Sequence, residues 1–255
     1  MNLIDINCDL GELDGEAGRQ LDESILPWVS SVNVACGAHA GSESRMRELA
    51  ILCRQHGVAF GAHPGFRDRE GFGRRAMNLS PVELYDLVCD QIGLAIAICH
   101  SEGIPLAHVK PHGALYNLAA VDGGIASVVA SAVRDKCPSA KLVGLSGSQL
   151  ILAGKAVGLS TLSEVFADRN YSENGTLVPR QHPNAVLHDP DLIALRALRI
   201  IQTRSVFAVD GTSIALLPES ICVHSDTFNA VNIARTLWQQ LRRAARSSQQ
   251  SHGKN

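Results

Sequence analysis

One pattern recurs along this chain and restricts its fold more than any other feature. A short apolar run ends in a cluster of polar residues and Gly, and a segment of helical periodicity follows. Leu3–Ile6 ends in Asn7-Cys-Asp-Leu-Gly-Glu12 and precedes a helix expected over Gln20–Val29. Ser31–Ala35 ends in Cys36-Gly-Ala-His-Ala-Gly41 and precedes Glu43–His56, which Gly57 stops. Val58–Phe60 ends in Gly61-Ala-His-Pro-Gly65. Ser80, Pro81 and Glu83 then supply an N-cap, a first-turn Pro and a capping box for a helix reaching about Ser101. The run from Ile104 ends in His108-Val-Lys-Pro-His112. Further units pair Lys141–Leu145 with Gln149–Val157, and Ser160–Phe166 with Asp189–Thr203. A hairpin is expected at 205–216 around Asp210-Gly211. Ser220–His224 and the helix Asn229–Ala244 close the series.

Strands alternating with helices predict an α/β fold with a parallel sheet. The polar residues gather at the C-terminal strand ends: Asp9, His39, His63, Lys110 with His112, Glu164 with Asp168, and His224. In a (β/α) barrel those ends converge on one mouth; in an open sheet they spread along an edge. The expectation is a single-domain (β/α) barrel over residues 1–246, with 247–255 a polar, disordered tail.

Composition removes several function classes. Of 255 residues, 45% are hydrophobic and 19% charged, and net charge is −2. That suffices for one large core and offers no basic patch for nucleic acid. Aromatics are 4%, too few for a stacking platform. Seven Cys stand singly with no C-x-x-C, so a zinc ribbon or disulfide framework is not expected and a reducing, cytoplasmic location is. No signal peptide and no membrane-length apolar run is read. Gly154-Lys155-Ala156 is not a P-loop.

The strand ends carry the chemistry. Pro111 makes Lys110 extended, so His108 and Lys110 share one face of a strand and His112 lies just beyond. Asp9, His39 and His63 make either a divalent metal set or a hydrogen-bonded polar cluster. Cys36 beside His39 is either a nucleophile or a small buried residue. Arg69, Arg74 and Arg75 either clamp an anion or form a solvated loop. Glu164 or Asp168 is a general base with Arg169 holding the other in place, or these charges close the barrel rim.

Taken together, Asn7–Glu12, Val32–Gly41, Gly61–Phe66, Gly71–Arg75, His108–Asn117, Glu164–Tyr171, Leu177–Arg180 and Ile221–Asp226 resemble the LamB/YcsF family of lactam-utilisation proteins. The resemblance spans residues about 5 to 230, in family order. It implies a barrel of about seven units, of the glycoside hydrolase/deacetylase kind. It also implies ATP-dependent opening of 5-oxo-L-proline to L-glutamate, magnesium as the ATP counter-ion, and partner 5-oxoprolinase subunits B and C. Asp9, Lys110 and His112 are then the catalytic candidates. Asn33, Gly37, His39, His63, Arg74, Asn117, Glu164, Asp168, Arg169 and His224 are the substrate-binding candidates. Ser42, Ser225 and Leu13-Asp-Gly15 depart from the family's pattern. Two other readings remain: a metal-dependent deacetylase-like hydrolase of amides or carbohydrates, and a non-catalytic subunit that presents substrate.

Overall fold

The computed structural model describes residues 4–227 and 229–252, with side chains to residue 244. Six parallel strands run in order: β1 (Asp5–Leu10), β2 (Ser31–Ala35), β3 (Ala59–His63), β4 (Leu106–Val109), β5 (Lys141–Leu145) and β6 (Thr161–Phe166). An antiparallel hairpin, β7 (Ser205–Phe207) and β8 (Ser213–Ala215), stands apart from them. β9 (Ser220–His224) then pairs with β6 on one side and β1 on the other, and a seven-stranded barrel is closed. The helices are α1 (Gly15–Ile25), α2 (Glu43–His56), α3 (Pro81–Glu102), α4 (Gly113–Val121), α5 (Gly123–Lys136), α6 (Gln149–Ala156), α7 (Pro190–Thr203) and α8 (Ala230–His252). Among the described residues no single helix is long and apolar enough to cross a membrane.

Strand alternation explains why the core has two characters. Cys8 and Leu10, Val32 and Val34, and Ile221 and Val223 belong to one buried apolar cluster with the surrounding helices. Their neighbours in the period of two point into the barrel, and these are polar: Asn7, Asp9, Asn33, His108, Lys110, Glu164 and Ser220, all buried. A barrel interior is more often filled by branched apolar side chains. Here hydrogen bonds fill it.

That inversion accounts for the boundaries the sequence misplaces. The apolar run stops at Ile6, yet β1 continues to Leu10, so Asp9 lies within the strand. β3 likewise extends to His63. α1 starts at Gly15, ahead of the expected Gln20. α4, directly after the His108–His112 segment, is a helix where the sequence suggests a loop. The capping box at Ser80 and Glu83 is present, and Gly57 and Gly103 end their helices in the left-handed conformation. The tail expected at 247–255 lies outside the described side chains, and at 253–255 outside the described residues altogether.

Candidate functional site

The site is built upward from the barrel's polar interior. Asn7 on β1 donates to Glu164 on β6 and Ser220 on β9, at 2.7 and 2.8 Å. Asn33 on β2 donates to Asn7 and Asp9, both at 2.7 Å, and its oxygen lies 2.7 Å from His108 Nε2. Above this layer sits the Lys110 ammonium, 2.9 Å from Glu164, 3.1 Å from Asp9, 3.1 Å from Cys222 Sγ and 3.2 Å from Asn7. Burial works against this charge, but Asp9, Cys222 and Glu164 outweigh it and hold Lys110 well above the usual ammonium range. Burial also opposes ionisation of Asp9, where Lys110 and then His63 prevail and hold the carboxyl well below its usual range. Tyr116 on α4 donates to the second Glu164 oxygen at 2.8 Å.

Beyond Lys110 four donor atoms converge. His63 Nε2 lies 3.4 Å from Asp9 Oδ2, 3.9 Å from Glu12 Oε1 and 3.0 Å from His112 Nδ1. His112 Nδ1 lies 3.2 Å from Glu12 Oε1. These four buried residues can hold a divalent metal ion. His39 stands behind them. Its ring stacks on His112 with centroids 3.7 Å apart, and its Nε2 lies 3.3 Å from Glu12. Burial pushes the His39 imidazole down to about 4, so it is neutral at pH 7. Gly65 and Gly73 make the stack possible, since a Cβ on either would meet His39 within 2.8 Å.

The cluster opens into a cavity of about 380 Å³ at the C-terminal mouth, within the range of small-molecule sites. Asp9, Glu12, His63, Lys110 and His112 form one side, and Asn117 and Tyr116 of α4 another. The rim carries Arg74 and Arg180, both paired with Asp226, with Arg74 also resting 4.8 Å over the Phe72 ring. His224 reaches the cavity with its Nδ1 2.8 Å from Asp168, a carboxylate held below its usual range by that imidazole against the effect of burial.

Several expected residues land elsewhere. Asn33, Glu164 and Asp168 do not line the cavity but support residues that do. Glu164 is fully buried with three donors, so it is no general base for a bound substrate. Arg169 does line the cavity, but it holds neither carboxylate. It donates to the Val178 and Ala185 carbonyls and, among the described residues, forms no ion pair. Gly37 belongs to a separate surface depression with Arg67 and Arg69, where Arg69 donates to the Gly37 and Gly41 carbonyls. Arg75 pairs with Asp68 and leaves no clamp at the mouth. Cys36 faces that same depression, its thiol buried, donating to the Val34 carbonyl and pushed up to about 12 by burial. That environment removes it as a nucleophile. In the metal set His39 gives way to Glu12 and His112. Glu12 is the residue that sequence reasoning misses, although the polar stretch after Ile6 contains it. Asp226 and Arg180 escape it too, each at the end of a motif whose other residues are singled out.

The LamB/YcsF family model matches residues 4–254. A protein from Geobacillus kaustophilus (strain HTA426), named as the first (A) subunit of 5-oxoprolinase, is 51% identical over 241 residues, covering 94% of each chain. Its namesake from Bacillus subtilis (strain 168) is 44% identical over 241 residues, again 94% of each. The crystal structure of a lactam utilization protein from Thermus thermophilus superposes with a TM-score of 0.86 at 42% identity, over 95% of this chain and 97% of that one.

Proposed function

The chain belongs to the LamB/YcsF family, and on that premise we propose that it carries the lactam-opening site of an ATP-dependent 5-oxoprolinase. The substrate in this reading is 5-oxo-L-proline and the products are L-glutamate, ADP and phosphate. Subunits B and C are the partners, magnesium accompanies ATP, and the location is cytoplasmic. The observation that carries the reading is the ionised Asp9, held by Lys110, at the side of a small-molecule cavity.

A five-membered lactam is a stabilised amide and resists water without activation. ATP supplies that activation by transferring its terminal phosphoryl group to the lactam oxygen, with ADP leaving. Water then adds at the ring carbon, the C–N bond breaks, the nitrogen takes up a proton, and a second water releases phosphate. Asp9 accepts the proton of the attacking water. Lys110 keeps Asp9 ionised and places positive potential beneath the cavity. His112, 3.0 Å from His63, lies beside the same space and passes the proton on. Arg169, with no carboxylate partner, meets the substrate carboxylate from the opposite wall. A second reading, amide hydrolysis without ATP, is favoured by the four-donor cluster alone.

The test is glutamate and phosphate release from 5-oxo-L-proline and ATP, with and without subunits B and C. Turnover is expected only from the assembled complex, since the chain has no recognisable nucleotide motif. Full ATP-dependent turnover by the isolated chain contradicts the division of labour. ATP-independent turnover contradicts the first reading and supports the second.

A further inference from the structure

The two imidazoles of the four-donor cluster have fixed tautomers. His63 Nδ1 lies 2.7 Å from the Lys110 carbonyl, and His112 Nε2 lies 2.9 Å from the Phe72 carbonyl. A carbonyl only accepts, so both nitrogens carry their hydrogens there. Each neutral ring therefore turns a lone pair inward, and the two lone pairs face each other at 3.0 Å. Asp9 Oδ2 and Glu12 Oε1 border the same space. Four acceptors crowd one point with no hydrogen between them. A single proton bridges one pair and leaves the others in repulsion; a single metal ion satisfies all four.

We propose that Asp9 Oδ2, Glu12 Oε1, His63 Nε2 and His112 Nδ1 bind one divalent first-row transition metal ion. Their separations of 3.0, 3.2, 3.4 and 3.9 Å bracket the edge of a tetrahedron, roughly 3.3 Å for donors about 2.0–2.1 Å from their ion. Charge agrees. Asp9, Glu12 and Glu164 are buried carboxylates and Lys110 is the one ammonium among them. Three negative charges against one positive leave an excess of two, which a divalent ion balances. Two imidazoles and two carboxylates, with no thiolate, suit zinc, manganese or iron(II) rather than calcium or copper(I). The Lys110 and Phe72 carbonyls orient the rings, and His39 braces Glu12, as outer partners do in built metal sites. Glu12, His63 and His112 also line the cavity, so a bound ion faces substrate, where it polarises a carbonyl or activates water. The assignment does not rest on the lactam reading, and its test needs no substrate.

Elemental analysis of full-length protein purified without chelator is the measurement, repeated after chelator treatment and after dialysis against zinc, manganese or iron(II). One metal ion per chain is expected. Stripping should lower the melting temperature by several degrees, and one of the three ions should restore it. His63→Ala and Glu12→Gln should lose the ion, while His182→Ala, which removes an exposed imidazole, should keep it. If a variant fails to fold, the stripped and reloaded wild type decides by stoichiometry and melting. No ion bound after loading, with melting indifferent to chelator, overturns the proposal. So does metal content unchanged in folded His63→Ala.

Discussion

Lys110 shows how far burial changes what a single residue does. Read as a strand-end side chain, it looks replaceable with little loss of stability. In the barrel it is 2% exposed and neutralises Asp9 and Glu164 together. Lys110→Met therefore strands two buried carboxylates and should cost about 3–5 kcal/mol of stability. Chemical denaturation reads this directly, and a loss under about 1 kcal/mol contradicts the ion-pair account. His108 makes a second residue-level prediction. Burial, against the pull of Asp5 and with Lys110, His63 and Lys141 adding to it, pushes the imidazole down to about 4. The unfolded chain, with its imidazole near 6.5, binds more protons between those values. Stability should thus rise with pH across about pH 4–6.5 and be lost as pH falls through that window, by about 2–3 kcal/mol at full extent. Melting of wild type and His108→Gln across that range tests it: the variant should show the shallower acid slope, and equal slopes place the titration elsewhere.

At the scale of elements, what sequence revealed and what it hid divide along one line. Local chemistry was legible: Ser80 with Glu83 at the start of α3, Gly57 and Gly103 at helix ends, and the Asp210-Gly211 hairpin. Parallel β/α alternation and the convergence of His63, Lys110, His112 and His224 followed from it. The polar barrel interior was not legible, because Asn7 and Asp9 look like a loop until their cross-barrel partners are known. Arg169 and His224 sit in neighbouring motifs, and only the fold shows that Asp168 pairs with the imidazole and not the guanidinium. The loop carrying Gly73 makes a prediction here. Gly73 has φ of 63°, and a Cβ there would lie 2.8 Å from His39 Cβ and 2.9 Å from His112 Cδ2. Gly73→Ala should cost about 1–3 kcal/mol and displace His112 from the cluster. Turnover should fall more than stability explains, and a variant with normal turnover contradicts the role given to that loop.

For the whole molecule, seven strands bring residues from β1, β3, β4 and β9 and their following loops to one mouth, and no single segment holds the site. Family membership and this geometry meet at Asp9, which bridges the buried Lys110 layer and the open cavity. Asp9→Asn is the cleanest test of that meeting point. It keeps the shape, and Glu164 still balances Lys110, while the base is gone. The decisive measurement is steady-state glutamate release from 5-oxo-L-proline and ATP by the complex assembled with subunits B and C, comparing wild type with Asp9→Asn and using melting to confirm folding. The account predicts turnover lower by about 10²–10⁴-fold in a folded variant. Near-normal turnover by a folded Asp9→Asn complex contradicts it and moves the chemistry away from the barrel mouth.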